Sequence, residues 1–578
     1  MRLVRGASAH LLVGRPRPEV IAPSLLLALA MALWISRVRG PIDLRWDAGV
    51  YYTLGTSVAE GKGYRLLNEP GEIRATQYPP LLPAFIAAHQ LVLGTSDPTA
   101  VGQALRLSFL VLFVGYIAAV YVLASQYLPV WPAFAVTLVC LFNFYTSFLS
   151  DSCFPEIAFA LTTVLFVLAH LRGGRSSSIL AALFGVAAYA LRTIGVCLLA
   201  AWIVEGLLKK QFTHAVLRLA LLVVVVASWQ LYIHSVESEP TYRQPAYAYQ
   251  REDYLFYNVS YFRNISLRDP FRANSGRVSI ADALERSSEN LRQLPIRLGV
   301  AVTSDRYFWD AQRAAANRTL GVPLVPEWTI NTTLFVLAAL ILVGLGILPA
   351  RGQWIIPLYL VFSFVGLSLT PWPEQFTRYL APLAPFLALS LLLALSTVVG
   401  VFGRLGPALH GIISLVVTGS VMSVILVEDG LTFVMMYRGM HQRVSYIDRG
   451  GQRVSYRLFF YKDAYRALDA GLDWLKQRAE PADVVVASMP HWIYLRTGLK
   501  AVMPPFEADP VRTQELLDSV PVTFILRDRG LDLDTSRYLD PVIRAFPDHW
   551  RLVYRDSIED ASGKHPQEAF EIFERVHP

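Results

Sequence analysis

Charged residues are scarce in this chain. Asp, Glu, Lys and Arg make up 17% of its 578 residues, against a hydrophobic share of 54%. A soluble chain of this length needs far more charge to cover its surface. Cysteine is nearly absent: Cys140, Cys153 and Cys197 lie in or beside apolar segments, and the polar stretches have none. No disulfide framework or zinc site can be read from them. No dense Lys/Arg run stands out, so the net charge of +7 fits basic cytoplasmic loops and not nucleic-acid binding. Internal repeats and low-complexity tracts are also missing. Long apolar runs, by contrast, recur, and mean hydropathy is +0.40. Twelve Trp and 27 Tyr suit interfacial belts. The chain reads as a polytopic membrane protein.

Apolar segments at 20–37, 101–124, 130–149, 155–171, 179–191, 194–208, 214–234, 329–348, 354–370, 379–398 and 407–427 predict about eleven spanning helices. As one straight helix, 179–208 would run roughly 45 Å, well beyond a ~30 Å core. As two helices, each half is short; Arg192-Thr193 at the middle favours a short hairpin or re-entrant bend. The start, Met1 to Glu19, carries Arg2, Arg5, Arg15 and Arg17 without a convincing cleavage site. It reads as the flank of a retained first helix rather than a signal peptide. Arg172 and Arg175, Lys209 and Lys210, Arg351 and Arg404 fall on the same side as that start, which the positive-inside rule makes cytoplasmic.

An odd number of spans then puts the C-terminal region outside. Residues 1–427 are expected to form a transmembrane module with exterior loops 38–100 and 235–328, the apolar patch 81–94 lying at the interface. Residues 428–578 are expected to form a linker and an exterior α/β domain. An amphipathic helix from Asp463 to Arg478 precedes strands at Val484 to Ala487, Val522 to Leu526, Arg551 to Tyr554 and Phe570 to Phe573. The fold class is a polytopic α-helical membrane protein with a C-terminal soluble α/β domain in two or three layers.

On that topology, polar residues gather at the outer span ends. Asp47 follows the first span in Arg45-Trp46-Asp47-Ala48-Gly49. Asp151 and Glu156 flank the turn Ser150 to Glu156. Arg192 sits at the outer bend, and Arg378-Tyr379 opens the tenth span. Each has an ordinary explanation: a solvated helix-end Asp, a cap on the fourth span, arginines that snorkel to lipid phosphate. Three acids and two arginines converging on one face point instead to a site, with acids to handle a proton and guanidinium groups to hold a phosphate. A sugar on a polyprenyl phosphate presents such a phosphate at the interface. Its transfer to a hydroxyl needs a base on the nucleophile and cations on the departing phosphate. Asp47 suits the base, and Arg192 and Arg378 suit the phosphate.

The arrangement resembles the GT-C class of polyprenyl-phosphate-sugar glycosyltransferases, which includes protein O-mannosyltransferases and lipid A aminoarabinose transferases. The segments that carry the resemblance are Asp47-Ala48-Gly49-Val50-Tyr51 with Gly61-Lys62-Gly63-Tyr64, then Tyr78-Pro79-Pro80, the Ser150-Asp151 turn, Leu191-Arg192-Thr193-Ile194-Gly195, and Arg378-Tyr379-Leu380-Ala381-Pro382. Tyr494-Leu495-Arg496-Thr497-Gly498 also looks like a segment of bacterial members. The resemblance implies inverting transfer at the outer face of a bacterial plasma membrane, with Asp47 as base and Asp151 and Glu156 as further catalytic acids. Arg192, Arg378 and Tyr379 would bind the donor phosphate, and Tyr51 and Tyr78 the substrate. The acceptor would be a lipid, a glycan or a protein. The family usually shows a second acid after the first Asp; Ala48 stands there here, which leaves a paired-carboxylate role unsupported. Members of this donor class generally require no cofactor or metal, although Asp47, Asp151 and Glu156 together could bind a divalent cation.

A lipid-linked glycan or lipid transporter, or flippase, is the rival reading. It predicts internal symmetry or mid-span charges, and the chain shows neither. The tail has no Gly-rich phosphate loop and no GxSxG elbow. Within it, His491 and Trp492, beside Pro490, could line an acceptor groove or be ordinary loop residues.

Overall fold

The computed structural model describes residues 18–321, 325–401, 407–528, 531, 533–558 and 568–576. The basic start up to Arg17 and Arg404 lie outside the described residues. A helix stands at each of the eleven apolar segments, and among the described residues six helices are long and apolar enough to cross a membrane. The first ten helices are α1 (Pro18–Trp34), α2 (Asp47–Ala59), α3 (Leu81–Leu93), α4 (Pro98–Ser125), α5 (Val130–Phe142), α6 (Phe144–Leu149), α7 (Glu156–Arg172), α8 (Arg175–Leu191), α9 (Val196–Leu208) and α10 (Phe212–Glu237).

Local chemistry explains the breaks. Asn143 splits the segment 130–149: its side chain caps α6 by accepting from the Thr146 N–H at 3.1 Å, while its amide donates to the carbonyls of Ala301 and Thr303. The segment 179–208 is two helices joined by a 3-10 turn at Thr193–Gly195. Gly195 permits that turn, because a Cβ there would lie 2.6 Å from the Ala188 carbonyl carbon. The loop 38–100 holds α2 and α3, packed against each other. The loop 235–328 holds the helices Ile280–Ala301, opened by a Ser279/Asp282 capping box, and Arg306–Leu320.

Beyond the last apolar helix, Pro407–Met435, comes a hairpin of β1 (His441–Ile447) and β2 (Arg453–Phe459). A five-stranded mixed sheet follows, formed by β3 (Val484–Val486), β4 (Lys500–Val502), β5 (Val522–Asp528), β6 (Trp550–Ile558) and β7 (Glu568–Arg575) in the order β4-β3-β5-β7-β6. β3 pairs in parallel with β4 and β5, and β7 runs antiparallel to β5 and β6. Val485, Phe524, Leu526 and Ile572 bury one face, which packs with the helix Asp463–Lys476. Val484, Val486, Val522 and Ile525 bury the other, with the helices Pro510–Asp518 and Leu533–Ala545. The sheet is thus covered on both sides, as a parallel core requires. The strands read from the sequence are all present; the hairpin β1-β2 and strand β4 are additions to that reading.

This layered unit is tied closely to the first loop. Asn68 and Ala501 exchange two hydrogen bonds, Ala501 N–H to Asn68 O at 2.8 Å and Asn68 Nδ2 to Ala501 O at 3.0 Å, so the loop covers the sheet edge at β4. Arg45 is the second tie. It is fully buried, pairs with Asp43 at 2.6 Å, donates to the carbonyls of Phe459 (2.8 Å) and Phe460 (3.2 Å), and lies between the rings of Trp46 and Tyr465. Removing one partner of such a buried pair strands the other charge. Arg45→Ala should therefore cost about 3–5 kcal/mol, seen as a lower Tm of the full-length protein in detergent. The double replacement Asp43→Leu with Arg45→Met should recover much of that loss. Equal melting of Arg45→Ala and wild type would remove Arg45 as a tie.

Candidate functional site

A cavity of about 960 Å³ opens where the first loop, the start of α7, the α8–α9 turn and the tail meet. A short backbone bridge builds it. Asp43 pairs in parallel with Ser152: the Asp43 N–H donates to Asp151 O at 3.1 Å, and the Cys153 N–H to Asp43 O at 3.0 Å. Four residues beyond the bridge on each strand stand Asp47 and Glu156, the first residues of α2 and α7. Both carboxylates therefore sit at the positive end of a helix dipole. Ahead of Asp47, Trp46 is held at φ +54° and ψ −138°, a strained conformation for a bulky side chain.

Arg378 links the two acids. Its Nη2 lies 3.1 Å from Asp47 Oδ2, and its Nε lies 2.9 Å from Glu156 Oε1. Arg192 Nη1 donates to the same Glu156 oxygen at 2.9 Å. The Tyr78 hydroxyl donates to Asp47 Oδ1 at 3.3 Å, and its ring packs on Tyr51 at 4.7 Å. Arg192 lies 5.1 Å from the Tyr379 ring centroid, and Arg378 4.5 Å from that of Phe154. Glu156 is almost fully buried, whereas Asp47 is about a quarter exposed and faces the cavity. Asp47, Glu156, Arg192, Arg378, Tyr379, Tyr51 and Tyr78, all singled out in the sequence, line this one cavity.

Three other residues stand elsewhere. Asp151 does not reach the cavity: it is buried on the far side of its turn, 3.2 Å from Arg106. His491 and Trp492 belong to the helix Pro490–Thr497 and face inward, not toward a groove. Trp492 Nε1 donates to Asp469 at 3.2 Å. The His491 Cβ lies 3.0 Å from where a Cβ on Gly49 would stand, and its ring packs on Tyr257, which does line the cavity. Because Asp151 is apart and Glu156 is held by two guanidinium groups, Asp47, Asp151 and Glu156 do not form one cation site. Among the described residues, no group of three or more His, Cys, Asp or Glu side chains is placed to hold a metal.

The cavity also contains residues that sequence reasoning passed over. Lys462 and Tyr465 come from the start of the first tail helix, Phe460 from the chain just before it, and Asp305 from the loop ahead of Arg306–Leu320. Lys462 has no carboxylate partner among the described residues. In the sequence it is one base at a helix start, with nothing beside it to mark a site. Phe460, like Trp46, has positive φ (+55°) and lies at the carbonyls that Arg45 clamps.

No protein-family model matches the chain, and no curated protein matches it in sequence. Solved structures do. The chain is similar to the archaeal oligosaccharyltransferase AglB from Archaeoglobus fulgidus in complex with an inhibitory peptide and a dolichol-phosphate, with TM-score 0.52 and 11% identity over 97% of this chain and 74% of that one. The A. fulgidus enzyme in complex with Zn and sulfate gives TM-score 0.51 and 13% identity over 93% and 72%. ArnT from Cupriavidus metallidurans bound to undecaprenyl phosphate gives TM-score 0.50 and 12% identity over 95% and 97%. The fold is that of the GT-C glycosyltransferases.

In this GT-C fold His491 supports the helix that bears Asp47, and burial pushes its imidazole down to about 3 from 6.5. The folded state thus holds it neutral while the unfolded chain binds a proton below pH 6.5. Its contribution to stability is whole above pH 6.5 and falls as the pH drops toward 3, by up to ~1.4 kcal/mol per pH unit. His441, also pushed down to about 3, acts with the same sign. His491→Gln should flatten the fall of Tm between pH 6.5 and 4 without abolishing it. Parallel Tm–pH curves for variant and wild type would contradict the buried neutral imidazole.

Proposed function

We propose that this protein is a membrane glycosyltransferase that moves a sugar from a polyprenyl-phosphate donor to an acceptor hydroxyl. The observation that carries this reading is the chain Asp47–Arg378–Glu156–Arg192 on the wall of the large cavity. It combines a partly exposed carboxylate with two guanidinium groups held by a buried one. The GT-C fold supports it, together with the dolichol-phosphate and undecaprenyl phosphate found in AglB and ArnT. The site lies on the non-cytoplasmic face of a bacterial plasma membrane, with the N-terminus cytoplasmic and the tail outside.

In the reaction the acceptor oxygen attacks the anomeric carbon from the face opposite the phosphate. Its proton passes to Asp47, the bond from the anomeric carbon to the phosphate oxygen breaks, and the phosphate leaves on its lipid, so the configuration inverts. Arg192 and Arg378 stabilise the charge on the leaving phosphate. Arg378 has a second role. Its Nη2 is committed to Asp47 until a donor phosphate competes for it, so donor binding frees the Asp47 carboxylate for the acceptor. Glu156 acts through the two arginines as a positioning residue. No step is assigned to a metal. Lys462 and the tail wall face the acceptor, which is a lipid, a glycan or a protein.

Asp47→Asn keeps shape and removes the proton acceptor. It should lower transfer ~10²–10⁴-fold with donor binding retained, measured by turnover of radiolabelled lipid-linked sugar in proteoliposomes. Near wild-type turnover in a well-inserted variant would rule out Asp47 as base. Arg192→Lys and Arg378→Lys lose the bidentate fork and should weaken apparent donor affinity by about tenfold. Unchanged affinity in both would leave the arginines as structural. Glu156→Gln should raise the donor KM more than it lowers kcat, since it acts before chemistry; a pure kcat loss would make it a participant in the reaction.

A further inference from the structure

A second cavity of about 960 Å³ lies at the other ends of α7 and α9. The first cavity takes Glu156 and Val196, which open those helices; the second takes His170 and Lys209, at their close, and Trp202, midway along α9. The 17 residues of α7 set the two roughly 25 Å apart, close to the ~30 Å of a hydrocarbon core. That spacing fits cavities on opposite faces of a bilayer.

The lining of the second cavity is basic. Among the described residues it contains Arg175, Lys209, Arg218, His170 and His214, and no aspartate or glutamate. Glu205, buried behind it, is already met by Lys209 at 2.8 Å and His170 at 2.6 Å. Arg175 and Arg218 have no carboxylate partner among the described residues. Arg218 is held in place by other means. Its guanidinium stacks 4.4 Å over the Trp202 ring, and Nη1 donates to Trp202 O at 2.6 Å. Gly206 leaves it room, since a Cβ there would stand 3.0 Å from Nη1. The remaining N–H groups of the fork are free for a ligand. Above this basic floor the walls are apolar: Ile179 and Ala182 of α8, and Leu217 and Leu221 of α10. α10 is the most exposed of the long apolar helices, so this wall opens toward lipid.

We propose that this cavity binds the phosphate head group of an anionic bilayer phospholipid, on the face opposite the Asp47 cavity. Arg218 and Arg175 take the phosphate oxygens, Lys209 adds charge, and an acyl chain runs along Ile179, Leu217 and Leu221. Guanidinium forks match phosphate geometry, and basic pockets between membrane helices select anionic head groups. The site is independent of the proposed transfer reaction and needs only the membrane embedding.

The test uses the full-length protein in detergent, titrated with phosphatidylglycerol, phosphatidylcholine or inorganic phosphate, with bound lipid counted by native mass spectrometry. Phosphatidylglycerol should bind more tightly than phosphatidylcholine. The double variant Arg175→Ala with Arg218→Ala should bind phosphatidylglycerol about tenfold more weakly or worse. Arg351→Ala, an exposed base on the same side but outside the cavity lining, should bind it like wild type. Should the double variant unfold, Arg218→Lys keeps the charge and should still bind more weakly at an unchanged Tm. Coincident phosphatidylglycerol titrations for wild type and the cavity variants would overturn the proposal. Full displacement of phosphatidylglycerol by millimolar inorganic phosphate would also overturn it, because the site would then take a free anion.

Discussion

One backbone bridge between residues far apart in sequence sets up the large cavity. Where Asp43 pairs with Ser152, the first loop is registered against the turn that leads into α7. Asp47 and Glu156 then open their helices side by side, close enough for one guanidinium to touch both. Had the register slipped by a residue, the two helix starts would no longer face a common partner. The bridge is itself fixed by buried charge on either side, with Arg45 on Asp43 and Arg106 on Asp151. Those pairs add little net stability, because desolvation offsets most of their attraction. Their contribution is to make any other register expensive.

Within the cavity the charges are arranged as a shared system rather than as separate pairs. One Glu156 oxygen accepts from both arginines, and Arg378 divides its fork between two acids. Every member of such a chain is constrained by its neighbours, so an incoming anion redistributes contacts along the whole of it. The buried end is stiff and the exposed end, Asp47, is free to change partner. That asymmetry suits a site where one ligand must be seated before a second group acts.

Much of this was readable from the chain. Apolar length predicted helices at all eleven segments, and the excess length of 179–208 with Arg192-Thr193 at its middle located the break there. The strands at Val484, Val522, Arg551 and Phe570 were legible because their apolar runs are short and well separated. The hairpin from His441 to Phe459 was not read, although Val444 and Tyr446, then Val454, Tyr456 and Leu458, alternate with polar residues at the period of a half-buried strand. Asp47 and the two arginines could be grouped because membrane topology reduces a three-dimensional question to a choice of face. Topology says nothing about which way a turn winds. Asp151 and Glu156 are five positions apart on one turn, yet one points at Arg106 and the other at Arg192. His491 and Trp492 misled for a related reason. A loop-like composition hid a helix packed against Gly49, and only the close approach of that glycine reveals it.

The Arg45 clamp has a consequence for biogenesis. Its guanidinium reaches carbonyls 414 and 415 residues downstream, more than two thirds of the length of the 578-residue chain. A ribosome delivers the N-terminal loop long before Phe459 and Phe460 emerge. Until they do, Arg45 lacks two of its acceptors and the cavity lacks the wall formed by Phe460, Lys462 and Tyr465. Loops of such span close late and slowly. A chain cut short before Phe459 therefore lacks both the closed Arg45 clamp and the tail wall of the pocket, even with every member of the charge chain in place.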